Sequence, residues 1–269
     1  MQDLIVTPVQ ANLVWEDSAA NLKAFDQQLS EVALPTDLVV LPEMFNTGFS
    51  INPDLAEEPE GHTFTWMQEK ARSMQCVVTG SVLTLESGKC YNRLYWISPD
   101  GSYQSYDKRH LFRLGKEWQE FTGGNSLLTV TLKGWKIRPL ICYDLRFPVW
   151  ARNRYRDGNF DYDLLIYIAN WPTVRSHAWQ QLLMARAIEN QSFVIGVNRV
   201  GDDGNNIHHT GHSAILDAEG KYLYQATPET TSAPNVILHP DQLLDFRKRF
   251  GFYMDWDEFD VKGLRDLGG

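Results

Sequence analysis

Cysteine is scarce in this chain, three residues in 269. So small and odd a number does not make a disulfide framework and fits a compartment where thiols stay reduced, so a cytoplasmic setting is expected. A basic surplus is missing too: 25 Lys and Arg stand against 34 Asp and Glu, for a net charge of -9 and a pI near 5.3. Phosphate neutralisation needs a basic face, so no nucleic-acid partner is expected. No apolar run approaches the ~20 residues of a membrane helix, so no membrane partner is expected either. The start, Met1-Gln2-Asp3-Leu4-Ile5-Val6-Thr7-Pro8, lacks the basic and long apolar regions of a signal peptide and reads as a first strand. No Pro/Gly/Ser-rich linker, repeat or low-complexity tract divides the chain. A single domain over 1–269 is therefore expected, with a C-terminal tail from about 240 to 269 that packs across a dimer.

What the chain does have is 43% hydrophobic content, enough for a large core. Short apolar strands alternate with helix-like stretches, the pattern of sheets covered by helices, so the fold class reads as α/β. Strands are expected at 4–9, 37–41, 76–85, 89–98, 163–169 and 193–200, with two more between 127 and 141 around Lys133-Gly134. Apolar spacing predicts helices at 18–32, 63–74 and 176–190, and a short one at 147–156. Hairpins are expected at Ser87-Gly88 and, between strands at 211–216 and 222–224, at Glu219-Gly220. The stretch 109–125, ending in Gly123-Gly124, reads as a long loop over the site.

Three segments carry the chemistry. Cys142, in Leu140-Ile141-Cys142-Tyr143-Asp144-Leu145-Arg146-Phe147, ends an apolar run just before a probable turn into helix, where a nucleophile would meet exposed backbone N–H groups. Glu43 follows Leu41-Pro42, and Lys108 follows Tyr106-Asp107, each a charged residue at the end of a strand-like run. A thiol with an ordinary pKa of ~8.5 needs a base or a positive neighbour to act as a nucleophile, and this pair supplies one of each.

In these segments the chain resembles the nitrilase, or carbon-nitrogen hydrolase, superfamily. The likeness extends to Gly80-Ser81, to Ala185–Gln191 and to Gly211–Asp217, and so runs from about residue 3 to 240. Cys142–Phe147 and Ala169-Asn170-Trp171-Pro172 look most like the omega-amidase, or 2-oxoglutaramate amidase, branch; true nitrilases usually carry Trp-Glu after the cysteine, where this chain carries Tyr-Asp. The resemblance implies a four-layer α-β-β-α sandwich and a catalytic Glu43, Lys108 and Cys142. It also implies a supporting Glu117, with Glu120 as its rival by proximity, and a Tyr143 backbone N–H that helps to hold the oxyanion. The expected reaction cleaves the side-chain amide of 2-oxoglutaramate or 2-oxosuccinamate through a cysteine thioester. No cofactor and no metal are implied, and a homodimer is.

Trp171, Phe147, Trp118, Phe121 and Tyr143 are candidates for lining a small pocket. Arg175, Arg113 and Lys116 are candidates for a distal carboxylate, since guanidinium and ammonium groups receive it naturally. Asp144 and Arg146 are expected to pair and brace the turn. Each has a plainer alternative: a free cysteine is more often a small buried hydrophobe, and loop charges are more often solvated. Cys76 reads as core and Cys90 as inert. His208, His209 and His212 lie in a polar loop without cysteine and do not read as a zinc site. Other functional readings are another small-amide amidase or N-carbamoyl amidohydrolase, a nitrilase, or a binding module without catalysis. An intact triad speaks against the last.

Overall fold

The computed structural model describes residues 1–261 and the backbone of 265 and 266. Among them, two six-stranded sheets carry the fold. The first places Leu4–Pro8, Leu38–Val40 and Val77–Glu86 in parallel, continues antiparallel through Lys89–Ile97 and Tyr103–Asp107, and is closed at its other edge by Val236–Leu238. The second repeats the theme: Trp135–Ile141, Leu164–Ala169 and Phe193–Asn198 run parallel, flanked by Val130–Leu132 and by Ala214–Leu216 with Tyr222–Gln225. The central strands are apolar on both faces, as parallel strands covered on both sides must be.

Helices Ser18–Ser30 and His62–Met74 cover the first sheet, burying Leu22, Phe25, Leu29, Phe64 and Met67 against Val39, Val78 and Ile97. Helix Ser176–Asn190 covers the second sheet with Trp179, Leu183 and Ala187. Between the sheets one apolar cluster joins Leu4, Val6, Leu38 and Leu94 to Ile137, Ile166 and Ile195. The order helix, sheet, sheet, helix is the α-β-β-α sandwich. Gly196 is what lets helix Ser176–Asn190 seat so close, because a Cβ there would strike Leu183 and Trp179.

Two expectations change. The helix expected over 147–156 stops at Ala151: Asp157-Gly158, both left-handed, turns Tyr155–Arg156 back onto Asn159–Phe160 as a ribbon. That Asp-Gly hairpin signal outweighed the weak helical spacing. The strand expected from Gly211 begins at Ala214, since Gly211 and His212 have φ of 79° and 58°. The tail forms helix Pro240–Arg249, which packs on its own chain: buried Arg247 pairs with Asp163 at 2.6 Å and donates to the carbonyls of Tyr162 and Gln191. The tail's end, 262–264 and 267–269, lies outside the described residues.

Candidate active site

Glu43, Lys108, Cys142 and Asn170 all follow the C-terminal end of a strand, on the side of the sheets where α/β folds gather their ligands. The turn after Leu38–Val40 carries Glu43 and Met44. It can press against the first sheet because Gly80 has no side chain; a Cβ there would lie 2.9 Å from Leu41 and Phe45. Ser81 Oγ accepts the N–H of Met44, whose φ is 42°, at 2.9 Å. Gly80-Ser81 therefore shapes the turn that presents Glu43.

Lys108 is fully buried, and its Nζ donates to Glu43 Oε1 at 2.8 Å and to both Glu117 oxygens at 3.0 and 2.9 Å. Glu43, also fully buried, accepts further from Asn92 Nδ2 at 2.9 Å and from the Asn170 N–H at 2.8 Å. Glu117 accepts from the Phe112 N–H as well, and its place at the start of a single helical turn, Glu117–Glu120, points it inward while Glu120 stays exposed. Of the two candidates it is Glu117 that meets Lys108.

Cys142 stands where strand Trp135–Ile141 enters the 3-10 turn Cys142–Arg146, with φ at 42°. Left-handed backbone at a residue other than glycine costs roughly 1–2 kcal/mol and persists only where its surroundings hold it. Burial first, and then the Glu43 carboxylate, push the Cys142 thiol well above its ordinary value, with Lys108 opposing. Burial likewise works against the Lys108 charge, but Glu117 and Glu43 outweigh it and hold the ammonium firmly protonated. Burial and the nearby Glu43 raise Glu117, against the pull of Lys108. At rest the site holds a thiol, with an ammonium between two carboxyl groups.

These groups face a cavity of about 700 Å³ whose wall includes Lys108, Cys142, Tyr143, Arg146, Trp171 and Arg175. Of the sequence candidates, Trp171, Tyr143, Arg175 and Lys116 line it. Phe147 does not: it stacks on His110 with ring centroids 3.8 Å apart. Nor does Arg113, which sits exposed over Trp118; Trp118 itself is 48% exposed, and Phe121 is buried in a satellite cluster.

Arg146 is not Asp144's partner as expected. Its guanidinium lies over the Trp171 ring at 4.8 Å, beside the cavity, while Asp144 turns inward to Tyr106 and His110. Arg146 closes the five-residue 3-10 turn that Cys142 opens, and both side chains reach the cavity wall. Arg175 lies over Phe112 at 5.2 Å; burial lowers its pKa, with Cys142 raising it and Arg146 lowering it, so the two guanidiniums are neighbours beside the thiol. Among the described residues neither arginine has a carboxylate within 4.0 Å. Asn92 and the aromatic walls Phe49, Phe112 and Trp15 also escaped the sequence reading, and Asn92 carried no local signal. His209 is in the cavity wall, whereas His208 pairs at the surface with Asp202.

The carbon-nitrogen hydrolase family model matches residues 5–239. Omega-amidase YafV of Escherichia coli K12 is 43% identical over 260 residues, 96% of this chain and 99% of that protein. The 2-oxoglutaramate amidase of Bacillus subtilis is 32% identical over 83% of this chain and 86% of its own. A crystal structure of a carbon-nitrogen hydrolase superfamily protein from Xanthomonas campestris, with an arsenic adduct in its active site, superposes with a TM-score of 0.94 at 42% identity, covering 97% of this chain and 100% of that one. With a family match over most of its length and a site built at the strand ends from Glu43, Lys108 and Cys142, this chain belongs to the carbon-nitrogen hydrolase family.

Proposed function

We propose that this enzyme is an omega-amidase that hydrolyses the side-chain amide of small 2-oxo acids such as 2-oxoglutaramate and 2-oxosuccinamate to the dicarboxylate and ammonia. One observation carries the reading: the buried Glu43, Lys108 and Glu117 cluster lies beside Cys142 in a cavity that also presents two arginines without acidic partners among the described residues. The omega-amidase and 2-oxoglutaramate amidase relatives support it.

A buried thiol this hard to ionise acts with base assistance and not as a preformed thiolate. Glu43 takes the Sγ proton as Sγ attacks the amide carbon. The carbonyl oxygen becomes an oxyanion, received by Lys108 Nζ and the Tyr143 N–H. Glu43 returns the proton to the amide nitrogen, the C–N bond breaks, and ammonia leaves a thioester on Cys142. A water then gives its proton to Glu43 and its oxygen to the thioester carbon; the C–S bond breaks and Sγ regains a proton. Glu117 keeps the Lys108 ammonium in place throughout. Arg146 and Arg175 receive the distal carboxylate, each steadied by an aromatic face. The chemistry requires no cofactor.

Three free thiols support a reducing, cytoplasmic setting. Exposed Val149, Phe252 and Met254 support a homodimer. The apolar cluster that joins both sheets and reaches Leu243 supports one domain over 1–269.

Ammonia release from 2-oxoglutaramate tests the function, with glutamine and a simple nitrile as comparison substrates. Release from 2-oxoglutaramate that disappears in Cys142→Ala is expected; full turnover in that variant would remove Cys142 from the mechanism.

A further inference from the structure

Asp144 is two residues past the nucleophile, fully buried, and takes no part in the steps above. Its carboxylate nonetheless receives four donors. Oδ2 accepts from Tyr106 Oη at 2.7 Å and from the Ile141 N–H at 3.1 Å. Oδ1 accepts from the His110 N–H at 3.0 Å and from His110 Nδ1 at 2.8 Å. A carboxylate has no hydrogen to give, so Nδ1 carries the proton of that contact.

The donors form a pattern. Tyr106 and His110 lie two residues before and two after Lys108; Ile141 lies one residue before Cys142 and Asp144 two after. One side chain therefore ties residues on both sides of Lys108, through the Tyr106 hydroxyl before it and the His110 N–H and ring after it, to the backbone on both sides of Cys142, in the second sheet. Tyr106 Oη is itself held: it accepts from Trp150 Nε1 at 3.0 Å and from the Arg109 N–H at 3.2 Å. The far end of the turn is anchored separately, by Arg186 Nη2 donating to the Leu145 carbonyl at 2.6 Å.

We propose that Asp144 is a positioning residue that clamps the Lys108 segment to the Cys142 turn, holding the left-handed nucleophile in register with its ammonium across two sheets. The clamp acts on turnover and not on substrate capture, because Asp144 is absent from the cavity wall and the guanidiniums that line it rest on the Trp171 and Phe112 rings. In its kinetic form the proposal rests on the amidase reading.

Asp144→Asn keeps the shape of the side chain but turns one acceptor into an NH2 facing two donors. With kcat expressed per reactive Cys142 thiol, a fall of about 100-fold is expected, with KM within about threefold, the scale of a misplacement near 1 Å. Tyr106→Phe removes a single donor and is expected to cost about tenfold in kcat with KM likewise kept. A merely structural role would lower the melting temperature or the fraction of reactive thiol and leave kcat per thiol unchanged. Should Asp144→Asn not fold, Tyr106→Phe alone decides. A folded variant with kcat within about threefold of wild type overturns the clamp.

The rate at which iodoacetamide alkylates Cys142, followed by mass on the peptide that carries it, needs no amide substrate and so separates the clamp from the amidase reading. If the wild-type enzyme released no ammonia from 2-oxoglutaramate, that reading would fail. Slower alkylation by about tenfold in Tyr106→Phe or Asp144→Asn would still support the clamp, and equal rates would overturn it.

Discussion

Cys142 keeps its proton at rest because a thiolate there would add a further negative charge to a buried site that already holds two carboxyl groups and one ammonium. Alkylation of Cys142 in the unliganded enzyme should therefore keep rising with pH beyond the ordinary thiol range instead of levelling off near it. The arginines act on a different quantity. Charge-assisted hydrogen bonds contribute about 1.5–3 kcal/mol each, so Arg146→Ala and Arg175→Ala should each raise KM for 2-oxoglutaramate about 10- to 100-fold. A short neutral amide, having no carboxylate to lose, should be hydrolysed with nearly unchanged KM. Equal losses for both substrates would move these side chains from recognition to general support of the site.

At the scale of elements, the site depends on how closely turns and helices approach the sheets. Gly80 gives room to the Glu43 turn, and Gly196 gives room to helix Ser176–Asn190, from which Arg186 reaches the Leu145 carbonyl. Gly196→Ala would overpack the contact with Leu183 and Trp179, at a cost of about 1–3 kcal/mol. Urea unfolding should show that loss in the midpoint with the slope preserved. The loop 109–125 is ordered by its own short helical turn and by the ion pair of Glu117 with Lys108, so Glu117→Gln should loosen the loop as well as the lysine. Limited proteolysis between 113 and 116 would report it.

For the molecule as a whole, the clearest acid sensitivity outside the carboxyl groups belongs to His209. It is 2% exposed, and burial, with the Arg199 guanidinium adding to it, lowers its pKa from 6.5 to about 4. A depressed histidine stabilises the fold while neutral: the contribution is present above pH 6.5 and is lost as pH falls towards 4, since the unfolded chain takes up the proton first. Over that window the loss is ~3 kcal/mol at 1.36 kcal/mol per pH unit. His209→Gln should flatten the slope of unfolding free energy between those pH values, measured by denaturant titration at each pH. Because His209 also lines the cavity, bound dicarboxylate should lessen the slope in the wild-type protein.

Local order in the chain was enough for the central strands of both sheets, the three long helices and the Ser87-Gly88 turn, because apolar periodicity and turn chemistry are properties of neighbours, but not for the edge strand Val236–Leu238. It was also enough to propose Glu43, Lys108 and Cys142, each a reactive residue at a strand end, while the preference for Glu117 over Glu120 came from the family resemblance. The ribbon at Tyr155–Phe160 was legible in Asp157-Gly158 but was outvoted by helical spacing. The rest was decided by tertiary structure. Arg146 is in the cavity wall because the Trp171 ring, from the end of another strand, offers its guanidinium a face there. Phe147 leaves it because His110 offers a stacking face, and Asp144 faces inward because Tyr106 and His110 arrive from the other sheet. Asn92 is beside Glu43 through strand pairing 49 residues away in sequence. Sequence by itself thus singled out the groups proposed for the chemistry, since reactivity and chain direction are local. Which groups hold and orient them depended on contacts between two sheets, and no local pattern encodes a distance across the core.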